Sequence, residues 1–204
     1  MEPQEFVETV RDENATPLSR LGSSKALYAD TEGEMDEESV LQSTADRAHY
    51  AAETFDEWAD EAEGDVADLF ADAAATERDH ADAAADEGDE YEPGEAPAVQ
   101  EHLRTVDGTA ERLGAFVGWA LAASNNADQV VGFFVGQASP RTASTFRAFG
   151  DDYDGYVERA SDLLASAEGD WDAALEAAGE AVEADYDDYF ETLESLGVNP
   201  KPVC

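Results

Sequence analysis

Glu77 and His80 stand three residues apart in the segment Leu69–Ala81, LFADAAATERDHA. On a helix that spacing sets a carboxylate and an imidazole on one face, where the two can share a metal ion or hydrogen-bond to each other. Spacing alone is a weak signal in this chain. Acidic residues number 50 of 204, so a histidine has an acid three places before it about one time in four by chance. Two of the three histidines meet the test, as Asp46/His49 and Glu77/His80.

Helical phase separates the two pairs. With about 100° per residue and Ala73 as zero, Val66 and Ala84 fall near 20° and Leu69 near −40°. Glu77 then lies near 40° and His80 near −20°, inside the apolar stripe. With Ala48 as zero on the preceding helix, His49 falls near 100° and Asp46 near 160°, on the flank and the outer face. Glu77 and His80 therefore point inward, and Asp46/His49 mostly does not.

A buried carboxylate and imidazole cost several kcal/mol unless satisfied. A metal, a mutual hydrogen bond, a tyrosine hydroxyl or a water would each satisfy them. Glu53, four residues after His49, can reach the helix interface from its edge. His102 has only Glu101 beside it and reads as a surface or interface residue. The chain contains no G-x-G-x-x-G, P-loop or G-x-S-x-G motif. Its single cysteine, Cys204, has no histidine nearby in sequence, so it is a poor nucleophile and cannot form a disulfide within the chain. Trp58, Trp119, Tyr153, Tyr156, Trp171, Tyr186 and Tyr189 stand mostly at core spacing.

The elements that must position the pair are helices throughout. A short helix is expected over 3–13, and Thr16-Pro17 reads as the start of another running to about Asp30; whether 3–30 is one kinked helix or two is open. Asp36 opens the next helix, whose stripe is Leu41, Thr44, Ala48, Ala52, Phe55, Ala59 and Ala62, and Gly64 ends it. Asp65 caps the helix that carries Glu77 and His80. Residues 88–98, GDEYEPGEAPA, form the clearest break, long enough for a crossover. A helix from about Val99 runs to Asn125-Asn126. Another follows over 127–149, kinked or restarted at Ser139-Pro140, and Gly150 closes it. Helices over 151–167 and from Trp171 to Leu196 complete the chain, with Gly197, Pro200 and Pro202 as stops.

Hydrophobic residues make up 43% of the chain, enough for a core, and strand-type alternation is scarce, so the expected class is all-α. The formal net charge of −39 leaves no basic patch to neutralise phosphates. Nucleic acid and anionic membranes are therefore not expected partners. Self-repulsion at this charge calls for strong screening, since the Debye length shrinks to about 3 Å at 1 M salt. A salt-rich cytoplasm like that of halophilic archaea is the expected setting. The first residues, MEPQEFVETV, lack the basic region and apolar run of a secretory signal. The most apolar stretch, Leu113–Ala138, is interrupted by Ser124, Asn125, Asn126 and Asp128 and makes a poor membrane span.

Leu69–Ala81 resembles the second helix of rubrerythrin-type ferritin-like proteins, in which a Leu-Phe pair precedes Glu-x-x-His-Ala by one and a half to two turns. The preceding helix, ADRAHYAAETFDEWADEA, is similar to that family's first bundle helix, and the break at 88–98 matches its crossover. The resemblance covers about residues 40–86. It implies an all-α, ferritin-like antiparallel four-helix bundle with additional C-terminal helices. The whole chain, 1–204, would form one such domain, with N-terminal helices in 1–87 and C-terminal helices in 99–197. It implies iron, or manganese, held by Glu77 and His80 and completed by Glu53 or His49, with iron or peroxide chemistry under oxidative stress.

The departures are as informative. The inward glutamate of the family's first helix falls near Ala48, so that His49 and Glu53 are the nearest substitutes. Helix 99–124 has only Glu101 and Glu111, both off its stripe, and helix 127–149 has no Glu or His. A six-ligand di-iron centre within one chain is therefore not expected. Two readings follow: a bundle with a degenerate metal site that works by binding or assembly, or a homodimer or higher homo-oligomer in which Glu77 and His80 of two chains meet. An all-α enzyme of the thiaminase or haem-oxygenase kind, with a pocket in the aromatic C-terminal half, is a third.

Overall fold

The computed structural model describes residues 1–88, 91–167 and 169–200, so Pro202 and Cys204 lie outside the described residues. All regular elements among these are α-helices, in line with the composition. The four longest form two hairpins. In the first, α4 (Glu37–Glu61) and α5 (Gly64–Glu87) are joined by Ala62 and Glu63 alone. Asp36 caps α4 by accepting from the Ser39 amide at 2.8 Å, and Glu37 and Glu38 follow at the positive end of the helix dipole. Gly64 opens α5 rather than ending α4. Its φ of +60° supplies the left-handed step that reverses the chain. Asp65 lies in the first turn of α5, whose N-cap is Glu63.

In the second hairpin, α7 (Thr109–Gly136) returns through Gln137–Ser139 into α8 (Pro140–Ser166). Phe134 stacks on Phe146 near the turn, and Phe116 meets Tyr156 farther down, as an antiparallel pair requires. The hairpins pack through rings: Phe55 of α4 lies 4.9 Å from Phe116 and 4.6 Å from Trp119, and Phe70 of α5 lies 5.6 Å from Phe116. Such edge-to-face contacts add about 0.5–1.5 kcal/mol each beyond area burial.

The last long helix, α9 (Trp171–Ser195), runs parallel to α7, since Gly114 faces Ala174 and Gly118 faces Ala178. A Cβ at either glycine would land on the backbone of α9, so the two helices approach more closely than any larger residue permits. The short helices α1 (Pro3–Glu13), α2 (Ala15–Leu21) and α3 (Ser24–Asp30) wrap the bundle. Phe6 packs on Trp171 at 5.5 Å, and α7 side chains Asn125 and Gln129 bond the carbonyls of Leu18 and Gly22. Buried apolar residues from α1–α5, α7–α9 and α6 (Ala98–Leu103) make one continuous core.

Four further expected boundaries move. The helix expected from Pro17 to Asp30 is broken at Gly22-Ser23, where Ser23 turns extended and its hydroxyl bonds the Arg20 carbonyl at 2.6 Å. The helix expected over 99–124 is α6 and then α7, parted at Gly108 with φ +91°. Asn125-Asn126 lies inside α7, because its amides bond other elements: Asn125 donates to Leu18 and Asn126 to Asp30. Gly150 lies inside α8, between the buried rings of Phe149 and Tyr153.

Candidate functional site

The continuous α8 brings its residues 149–156 across Glu77 and His80 of α5. Glu77 is fully buried and His80 is 4% exposed, as their inward phase predicts. Phe149 stacks on the imidazole with ring centres 3.7 Å apart, and Tyr153 meets it edge-on. His80 Nδ1 lies 3.4 Å from Glu77 Oε1. On the other side of the ring, Nε2 lies 2.9 Å from Asp152 Oδ2, a carboxylate on the rim of the bundle whose side chain is 46% exposed. The imidazole thus stands between a dry carboxylate and a wet one.

The two contacts are unequal. The Asp152 contact is a short hydrogen bond. The Glu77 contact is an ion-pair distance beyond good hydrogen-bond geometry. Both Glu77 oxygens, His80 Nδ1 and the Tyr156 hydroxyl are buried without a hydrogen-bond partner among the described residues. Burial pushes the Glu77 carboxyl above its usual range, against the pull of His80. Burial alone would push the imidazole down, but Glu77 and Asp152 outweigh it and hold His80 above its usual value. Burial, followed by the Glu77 charge, pushes both Tyr153 and Tyr156 up. The arrangement favours the protonated imidazole, which has Glu77 on one side and Asp152 on the other.

Glu53 and His49 lie elsewhere. Glu53 is bound to Arg104, which follows α6, at 3.0 Å, and His49 sits 3.6 Å from Glu53 among the rings of Tyr50 and Tyr91. Both are partly solvent-facing, with side chains 51% and 34% exposed. Asp46, expected on the outer face, pins the crossover by accepting from the Tyr91 hydroxyl and the Gly94 amide, both at 2.9 Å. His102 is half-buried and lines a groove shared with α9 residues Glu176 and Glu180. Behind the α8 rings, Phe116 and Trp119 of α7 pack on Tyr156 and Tyr153, and α4 buries the alanines Ala48, Ala51 and Ala52. A two-metal carboxylate centre does not fit these residues. Among the described residues no three His, Cys, Asp or Glu side chains converge as a metal-holding group.

Sequence reasoning missed Asp152 and a second buried cluster. Asp152 sits three residues after Phe149 and four before Tyr156, a helical spacing visible once α8 is read through Gly150. In the second cluster, Arg47 of α4 bonds Asp30 of α3 at 2.8 Å and Asp185 of α9 at 3.1 Å, and Asn126 of α7 bonds Asp30 at 2.6 Å. Burial would push the Arg47 guanidinium down, but the two carboxylates hold it above its usual range. The available signal was an arginine on the flank of an alanine stripe in a chain with few bases. No helix among the described residues is long and apolar enough to cross a membrane. No protein-family model, curated protein or solved structure compared with the chain matches it.

Proposed function

We propose that the chain is a non-enzymatic helical module, structural or protein-interacting, built on a ferritin-like bundle whose metal site is degenerate. The observation that carries this reading is the set of partners of His80: its Nε2 is bonded to Asp152, while Phe149 and Tyr153 of α8 close over the ring. Two antiparallel hairpins joined by a long crossover support the ferritin-like arrangement. The acidic surface suits a salt-rich cytoplasm, where screening lets such surfaces approach a partner. Meeting of Glu77 and His80 from two chains would require α8 to lift away, because Phe149, Tyr153 and Tyr156 cover the pair.

A second reading, a single iron or manganese ion held by Glu77 and His80, is favoured by their unpartnered atoms. The two are separated by purifying the protein in concentrated KCl with iron or manganese and measuring bound metal in wild type, Glu77→Ala and His80→Ala. The module reading expects no stoichiometric metal in any of them. One equivalent in wild type, lost in both variants, would establish the metal reading instead.

A further inference from the structure

We propose that the cavity between α4, α6, α7 and α8 is the binding site of one internal, exchangeable water held by Gln100. The cavity has a volume of about 20 Å³. A water needs roughly 10–15 Å³ and two to four polar partners, so the space admits one molecule and no larger guest. Gln100 lines it, is 1% exposed, and carries a buried side-chain oxygen with no hydrogen-bond partner among the described residues. A buried amide oxygen left unmatched is unfavourable, and water is the ligand that can donate to it and still accept from a neighbour. Thr44, Arg47, Asn126 and Tyr153 also line it, with Trp119, Phe146 and apolar side chains making up the rest.

The route to solvent follows from shared lining. Arg47 and Pro97 border the cavity and also the outer groove that runs past Asp30, Glu101 and Asp188. The Arg47 side chain, itself 21% exposed, stands at the border of the two. Tyr153 lines the cavity and also meets the His80 ring edge-on, so one side chain separates the water from the Glu77–His80 site. This assignment stands whether or not a metal binds there.

The test is a crystal structure of the full chain at a resolution that orders waters, for wild type and Gln100→Leu. The expected result is a density peak within hydrogen-bond distance of Gln100 Oε1 in wild type and its loss in the variant. A dry wild-type cavity, or a peak unchanged in Gln100→Leu, overturns the proposal. Should the variant fail to fold, cross-relaxation between water and the Gln100 side-chain amide in wild type decides it. A long-lived water signal is expected there, and its absence overturns the assignment.

Discussion

Two buried ionic clusters sit in one bundle, and they are built to opposite standards. Around Arg47 a guanidinium fork meets Asp185 through both terminal nitrogens and Asp30 through one, and Asn126 takes another oxygen of Asp30. Four helices, α3, α4, α7 and α9, are tied at that point. Glu77 and His80 lie deeper than Arg47 and Asp30, yet both carboxylate oxygens and one imidazole nitrogen lack hydrogen-bond partners. A saturated network fixes helix positions. An unsaturated one in the same core contributes little to holding α5 against α8 and is kept in spite of its desolvation. The difference assigns the first cluster to architecture and marks the second as the place where protonation can change.

The largest effect is expected at Arg47. Arg47→Met leaves Asp185, 4% exposed, with its charge unpaired and frees α3 from α4. Breaking a buried pair costs about 3–5 kcal/mol, and partial solvent contact of the guanidinium puts this case near the lower end, about 3 kcal/mol. Chemical denaturation in concentrated KCl measures it. A loss below about 1 kcal/mol would erase the distinction between the clusters.

Much of the Glu77 cluster was legible in sequence, and little of the Arg47 cluster was. The stripe of Val66, Leu69, Ala73 and Ala84 fixes the phase of α5 closely enough to turn Glu77 and His80 inward. Periodicity speaks only of one helix at a time, so Asp152, which completes the site from α8, could not be reached that way. Gly150 hid it further. A helix-interior glycine costs only about 1 kcal/mol relative to alanine, and the burial of Phe149 and Tyr153 on either side of it outweighs that. Asn125-Asn126 misleads in the same manner, its poor propensity being offset by bonds to Leu18 and Asp30. The break before α7, by contrast, had a local sign in the Asp107-Gly108 turn pair. Glu53 and His49 were drawn toward the site by the resemblance, but they lie near the edge of α4, where Arg104 is the available partner.

The pH dependence of stability follows from the Glu77 cluster. Glu77 and His80 both hold protons more tightly in the fold than in an unfolded chain, Glu77 because of burial and His80 because two carboxylates outweigh burial. A raised folded pKa gives stability that is complete below the unfolded value and lost as pH rises through the folded one. The loss therefore begins above 4.5 for Glu77 and above 6.5 for His80. Above pH 6.5 the slope is at most about 1.4 kcal/mol per pH unit for one proton. Denaturation at fixed KCl from pH 6.5 to 9 is expected to show falling stability in wild type and a flatter profile in His80→Gln. His49 and His102 are common to both proteins, so the difference reports the coupled Glu77–His80 pair. Equal slopes would mean that the pair takes up no extra proton through His80.

Replacing Glu77 by an apolar residue of similar size sharpens the contrast with Arg47. Glu77→Leu removes a buried carboxylate that has no good hydrogen bond and fills the same space with carbon. Exchanging a whole buried pair for apolar residues is often neutral or stabilising by about 1–4 kcal/mol, and removing one partner is costly only when the other is left unpaired; His80 keeps Asp152 at 2.9 Å. Since His80 Nδ1 is already unpartnered, the expected result is stability within about 1 kcal/mol of wild type or above it. A loss of about 3 kcal/mol would show that Glu77 is as fully matched in solution as Arg47 is.

The smallest effect is expected at Asp152, and its value lies in a second readout. The side chain is 46% exposed, so solvent and concentrated salt screen its attraction for His80, and Asp152→Asn should cost under about 0.5 kcal/mol. The asparagine oxygen can still accept from Nε2, so the ring stays in place on Phe149. What the substitution removes is one of the two charges that hold the imidazole above its usual pKa. An NMR titration of His80 should therefore move to lower pH in Asp152→Asn while the melting curve barely changes. A titration that stays put would place the whole of the upward shift on Glu77. The wet carboxylate would then be a neighbour of the site and not the member that connects it to solvent.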